Sequence, residues 1–259
     1  MLSFKKYLVI PLLFVSHLSK AADQAAPDQQ ESAPQAVEFS LSEQEKVNQE
    51  LMKAVETDNM PEAKKLIESK ADVNYIDWTY SCLLSATSKA MADLLIEHKA
   101  NVNLAIGNES TLHRAVEKMD SDLVEILLDN KADIDARNSD QNTPLHGACD
   151  EQTSQLLLDR KADPNAENKR KNTPMQVIAN KGNGSIYGLE IIQQLIEAKA
   201  AVDHKNNKGK TALHIAFEKQ NKDLARCLLT AQASMIIQDN VGVSPLDISF
   251  KNMRIASGR

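Results

Sequence analysis

The sequence predicts an all-α repeat solenoid, a stack of helix-turn-helix units with β-hairpin fingers between them. Two recurring markers and one feature of composition lead there. The first marker is Asn142-Thr143-Pro144-Leu145-His146-Gly147-Ala148, with related stretches at Ser81-Cys82-Leu83-Leu84, Ser110-Thr111-Leu112-His113, Thr173-Pro174-Met175-Gln176, Thr211-Ala212-Leu213-His214 and Ser244-Pro245-Leu246-Asp247. The second is Lys-Ala-Asp or a near variant. Its alanine falls at Ala71, Ala100, Ala132, Ala162, Ala200 and Ala233, in steps of 29, 32, 30, 38 and 33 residues. The chain is 42% apolar but only 4% aromatic. A single globular core of this size uses more aromatic side chains, whereas helix pairs filled with Leu, Ile, Val and Ala need few.

The two markers, repeating in register over roughly residues 43–251, resemble the ankyrin repeat, whose signature is a Thr-Pro-Leu-His-x-Ala helix start on a period of about 33 residues. The resemblance implies a helical stack whose fingers and first helices line a concave partner-binding face. It also implies that the histidine of the signature bonds neighbouring turns and braces the finger.

In chain order, residues 1–21 read as a secretory signal peptide. Lys5 and Lys6 form a charged start, residues 7–15 are apolar but for Pro11, and Ser19-Lys20-Ala21 places small residues where a signal peptidase reads. The competing reading, an uncleaved anchor, needs about 20 apolar residues, more than this run supplies. The segment contains three lysines and no acidic residue. Its removal leaves 27 basic against 36 acidic side chains, a formal charge of −9. That balance speaks against a general nucleic-acid or anionic-membrane binder. Residues 22–39, rich in Ala, Gln, Pro, Asp and Glu, cannot bury enough apolar surface to offset ordering entropy and are expected to form a flexible tether.

Residues 40–76 are expected to form an N-terminal capping repeat. Ser40 with Glu43 suits a capping box, Val47, Leu51, Ala54 and Val55 follow at helical spacing, and Pro61 starts a second helix. Residues 77–236 then hold about five repeats. In each, Thr or Ser caps the first helix and Pro, where present, fixes φ without losing a needed donor. Second helices are marked by Leu94-Leu95-Ile96, Leu127-Leu128, Leu157-Leu158, Leu195-Ile196 and Leu228-Leu229. The repeats beginning near Ser81 and Thr143 are about three residues short between helices, and the one at Thr173 carries an insertion over residues 181–188. Residues 237–259 supply a finger and one helix, a C-terminal capping half-repeat.

One departure is systematic. Where the family usually has Gly before the repeated Ala, this chain has Lys70, Lys99, Lys131, Lys161, Lys199 and Gln232. If the second helix ends in the left-handed conformation there, each such residue costs roughly 1 kcal/mol.

Cys82, Cys149 and Cys227 lie two repeats apart in this frame, beyond the ~7 Å Cα limit of a disulfide. They read as packed free thiols, with Cys149 and Cys227 on inward helical positions. His113, His146 and His214 recur at different levels of the stack and so cannot converge on one metal ion. They read as structural, and His98 and His204 as solvated. The sequence contains no nucleophile elbow, paired-carboxylate cleft, phosphate loop or zinc motif, so no catalytic, cofactor or metal site is assigned. An enzyme built on the inserted loop would need an acid/base pair near residues 183–187, where only Glu190 is close.

What remains is surface. The candidate partner-binding residues are Asp77, Trp78 and Tyr80 on the first finger, Lys169, Arg170 and Lys171 on a later one, Lys205, Lys208 and Lys210 on the next, and Tyr187 in the insertion. Trp78, the only tryptophan, is either a binding anchor or folds back over the shortened repeat. The basic stripe either steers an acidic partner or is an ordinary solvated loop, and the insertion is either a lip to the groove or a mobile loop. The chain therefore reads as an exported, monomeric scaffold that binds a protein partner and does no chemistry. A signal peptide followed by a tether fits the periplasm of a Gram-negative bacterium. Resemblance to periplasmic ankyrin proteins implies support of a partner enzyme, catalase among those known, in oxidative-stress defence. The alternative is a secreted effector that engages host proteins.

Overall fold

A computed structural model describes residues 41–77, 80–181 and 188–256. The signal peptide, the tether, Ser40, Trp78, Tyr187 and most of the insertion lie outside the described residues. The described chain is a stack of helix pairs. The first helices of successive units are α1 (Glu43–Glu56), α3 (Cys82–Ser85), α5 (Thr111–Glu117), α7 (Pro144–Gly147), α9 (Pro174–Lys181), α11 (Ala212–Glu218) and α13 (Pro245–Ala256). The second helices are α2 (Met60–Glu68), α4 (Lys89–Glu97), α6 (Ser121–Asp129), α8 (Glu151–Asp159), α10 (Gly188–Glu197) and α12 (Lys222–Thr230). First helices pack on first helices from α1 to α13, and second helices on second helices from α4 to α12. The core between the rows is aliphatic, with Leu51, Leu83, Leu95, Leu112, Leu127, Leu145, Leu157, Ile191 and Leu213 essentially inaccessible to water. A unit standing alone would leave these faces wet, so stability resides in the stacking.

The opening capping box forms at Ser42 and Glu45, two residues later than Ser40 and Glu43 would place it. Ser42 carries the extended backbone (φ −61°, ψ 155°) that a cap requires. The Glu45 carboxylate accepts the Ser42 backbone N–H at 2.8 Å, which holds its pKa below the ordinary glutamate value. The two short repeats are short in their first helices: α3 and α7 have four residues each. Ala86 and Ala148 turn to extended backbone (ψ 125° and 130°), and the chain passes at once to Ser88 and Asp150, the N-caps of α4 and α8.

Every second helix from α2 to α12 ends in the left-handed conformation, at Lys70, Lys99, Lys131, Lys161, Lys199 and Gln232, with φ between 63° and 72°. The N–H of the following alanine then reaches back to close the helix, as from Ala132 to Leu127 O at 2.9 Å, the Schellman arrangement. This places the repeated alanine in the core and explains why it is small. The strain expected from the missing glycines is therefore present. Next comes a polar ladder. Asn74, Asn103, Asp135, Asn165 and Asp203 each accept, through Oδ1, the N–H one residue past the repeated alanine of the following unit, at 2.7 to 3.1 Å.

Among the described residues only the first two fingers form β-hairpins: β1 (Ile76–Asp77) pairs with β2 (Tyr80–Ser81), and β3 (Ala105–Ile106) with β4 (Glu109–Ser110). The later ones are tight side-chain-locked turns instead. Asn138, Asn168, Asn206 and Asp239 each accept through one Oδ1 the N–H groups two and four residues on, near 3.0 Å, so one bond of the closing backbone pair remains, as from Asn138 N–H to Asn142 O at 3.0 Å, and the reciprocal donor goes to a side chain. Two further expectations need correction. Cys149 lies just beyond α7 and is half-buried, because α7 stops short of it, whereas Cys227 lies on α12 and packs, half-buried, against the core as expected. Only Cys82 is fully buried, and burial pushes its thiol up to about 12. All three are free. His204 is not simply solvated: its Nε2 lies 3.0 Å from Lys171 O on the preceding finger.

Candidate partner-binding site

The fingers are held as a row by histidines and by their own backbones. His146 Nδ1 accepts the Thr143 backbone N–H at 3.0 Å. An N–H group can only donate, so Nδ1 is unprotonated and Nε2 carries the hydrogen to Asn172 O, 3.1 Å away on the next finger. His113 and His214 repeat the arrangement toward Asn142 O and Val243 O. Gln176 performs the same task with an amide: Oε1 accepts the Thr173 N–H at 3.0 Å, while Nε2 donates to His204 O and Lys210 O. From the third finger on, the backbone adds a bond at each step, from Lys169 N–H to Asp140 O, Asn207 N–H to Arg170 O and Asn240 N–H to Lys208 O. Contact is close enough at the last step that a Cβ on Gly209 (φ +75°) would stand 2.7 Å from the Asn240 nitrogen. Glycine is required there.

Between this row and helices α9 and α11 runs a groove of about 640 Å³. It collects Lys169, Arg170, Lys208 and Lys210 from the basic stripe, together with Asn142, Asn168, Asn172, Asn180, Asn206 and Asn207. Asp140 and Glu218 are its only carboxylates, against four cations. Lys210 is ion-paired to Glu218, which leaves exposed Lys169, Arg170 and Lys208 as the cations open to a ligand. Lys171 and Lys205 stand outside the groove, and Lys205 Nζ is spent on Gln238 O at 2.8 Å. The asparagines are the part that charge-based reading passed over. Asn168 Nδ2 donates to Asn142 Oδ1 and Asn206 Nδ2 to Asn172 Oδ1, both at 2.8 Å. Asn138 with Asn142 and Asn168 with Asn172, four residues apart in two successive fingers, and Asn206-Asn207 in the next were the signal in the sequence.

The first finger lies elsewhere. Tyr80 is 45% exposed and has the Lys118 ammonium 4.5 Å above its ring, a cation–π geometry. Lys118 also donates to Leu84 O at 3.2 Å, and its partial burial lowers its pKa. Asp77 is half-buried opposite Tyr80. Neither residue lines the groove. Among the described residues no three His, Cys, Asp or Glu side chains group to hold a metal ion, and no helix is long and apolar enough to cross a membrane.

A family profile of three-copy ankyrin repeats matches the chain in overlapping windows from residue 51 to residue 256. The chain belongs to the ankyrin-repeat family. Ankyrin repeats serve as protein–protein interaction scaffolds, and the mostly helical stack with small antiparallel hairpins is that family's architecture. Among characterised proteins the chain is similar to a transient receptor potential cation channel subfamily A member 1 homolog of Caenorhabditis elegans, 34% identical over 145 residues, 55% of this chain and 11% of that protein. It is also similar to the transient receptor potential channel pyrexia of Drosophila melanogaster, 36% identical over 95 residues, 35% of this chain and 10% of that one. The chain spans about a tenth of the length of these relatives.

Proposed function

We propose that this ankyrin stack is a non-enzymatic scaffold that holds an acidic, extended segment of a protein partner in the groove between its fingers and α9 and α11. The observation that carries the reading is the meeting of Lys169, Arg170 and Lys208, free of ion pairs among the described residues, with a row of asparagine amides. Carboxylates of the segment face the cations, and the Nδ2 groups of Asn142 and Asn172 with the amides of Asn180 and Asn207, which the bonds between fingers leave over, satisfy its backbone groups, as an extended peptide requires. The chain is exported in this proposal, on the strength of Lys5, Lys6, the apolar residues 7–15 and Ser19-Lys20-Ala21. Its partner is a periplasmic enzyme or stress-defence protein.

Affinity capture from cell-envelope extract tests the groove. A partner retained by the native chain and lost from a Lys169→Glu, Arg170→Glu, Lys208→Glu variant supports it, and equal retention by both overturns it. N-terminal sequencing of the chain expressed in a Gram-negative host tests export separately: the mature chain is expected to begin at Ala22, and retention of Met1 removes the export reading.

A further inference from the structure

Three successive fingers are copies of one turn. Asn138, Asn168 and Asn206 each donate a backbone N–H to the carbonyl four residues on, at 3.0 Å in every case. The residue before that carbonyl, Gln141, Lys171 or Gly209, is left-handed, at φ 60°, 54° and 75°. Asp140, Arg170 and Lys208 therefore occupy one position of the same turn, and all three are exposed and line the groove. Asp140 O and Arg170 O each accept an N–H from the next finger, from Lys169 and Asn207, so the tips advance in step with the helices behind them. Packed helices stand about 8–10 Å apart, and that is the interval from one tip to the next.

Two rows run along the groove at this interval. The tips present a carboxylate, a guanidinium and an ammonium in that order, and none of the three is ion-paired among the described residues. Deeper in, Asn142 and Asn172 stand at equivalent places one step apart. Each spends its Oδ1 on the amide of the next finger, at 2.8 Å, which leaves the Nδ2 groups of both as donors facing the groove.

The interval selects a backbone. Polyproline II has three residues per turn and rises about 3.1 Å per residue, so every third side chain faces one way at about 9 Å. A β-strand repeats on one face at about 6.6 Å and loses step after a single finger. An α-helix regains a face after seven residues, about 10.5 Å, but bonds its own carbonyls and offers Asn142 Nδ2 and Asn172 Nδ2 no acceptor. Polyproline II leaves its carbonyls free, and a proline-rich segment adds few N–H donors to compete for them. We propose that the groove reads a polyproline II segment of a protein partner in a three-residue charge register, with a cationic side chain toward Asp140 and carboxylates three and six residues along toward Arg170 and Lys208. This rests on the reading of the groove as a site for an acidic extended segment, and adds its conformation and the order of its charges.

The test titrates fluorescent peptides against the full chain by anisotropy. Lys-Pro-Pro-Glu-Pro-Pro-Glu and its reverse, Glu-Pro-Pro-Glu-Pro-Pro-Lys, carry the register in the two chain directions. Lys-Pro-Glu-Pro-Glu-Pro-Pro carries the same residues out of step with the tips. One of the two in-step peptides is expected to saturate and to bind about tenfold more tightly than the respaced isomer. Asp140→Lys gives the first tip the residue that Lys208 supplies at the third, so the turn is kept. It is expected to weaken the in-step peptide about threefold and to favour Glu-Pro-Pro-Glu-Pro-Pro-Glu in its place. Equal binding of in-step and respaced peptides, both lost on Arg170→Glu with Lys208→Glu, would overturn the register and leave the acidic-segment reading standing. Indifference to Asp140→Lys would overturn the register too. If no peptide saturates, the register falls, and the acidic-segment reading falls with it only if envelope capture is also indifferent to the Lys169, Arg170 and Lys208 changes.

Discussion

At His146 one buried ring ties a helix start to the neighbouring finger, and burial drives its pKa down to about 4 from 6.5. The unfolded chain takes up a proton on this ring near pH 6.5, whereas the folded chain resists until about pH 4. The linked stability is therefore complete above pH 6.5 and falls as the pH drops through that window, by about 3 kcal/mol in all. His214 is shifted in the same direction, again chiefly by burial. Because Gln176 already does the same job without titrating, His146→Gln is expected to fold and to flatten this dependence. The check is the urea midpoint at pH 7 and pH 4.5, whose difference should shrink in the variant. The strained helix ends give a second residue-scale prediction. Lys131 is exposed at φ 65°, so Lys131→Gly should raise stability by up to about 1 kcal/mol, read as a higher thermal midpoint.

The short first helices α3 and α7 pose a problem of element scale, since a four-residue helix leaves most of its carbonyls without partners. The next unit solves it in both cases. Lys118, just past α5, donates to Leu84 O, and Lys181, at the end of α9, donates to Gly147 O at 3.1 Å. Each ammonium also sits where a helix C-terminus favours positive charge. Lys219 occupies the same register in its own repeat, next to α9 rather than a four-residue helix, and serves as the control. Lys118→Met is expected to destabilise the fold by about 1 kcal/mol, and Lys219→Met by much less, as measured by chemical denaturation.

For the whole molecule, stacking makes stability a sum over neighbours. Leu157 on α8 is fully buried in a helix that packs on α6 and α10. Leu157→Ala should therefore cost about 3 kcal/mol and weaken the stack at its middle. Circular dichroism during denaturation is expected to show an earlier and broader transition. The equivalent truncation Leu66→Ala in α2, at the end of the stack, should shift the transition less, because fewer units depend on it. Hydrogen exchange would report the same gradient, with protection greatest in α5 to α8 and least in α13.

The repeat frame and the short repeats were legible from spacing and residue type, because each depends on contacts that recur at fixed separations along the chain, whereas the left-handed helix ends were a condition drawn from the family's usual glycine. The histidine role was legible for the same reason, though it came through resemblance to the family. The turns that replace later hairpins, the cap at Ser42 and the bonding of His204 were not, since each rests on which of several nearby donors an acceptor reaches first. The candidate site divided likewise. Positive charge on two fingers could be read directly, but only folding sorted Lys169, Arg170 and Lys208, which face a groove, from Lys205 and Lys210, whose ammonium groups are already bonded. Local periodicity sets which residues share a face. The pairing of charges between units depends on distances across the stack that linear order does not encode.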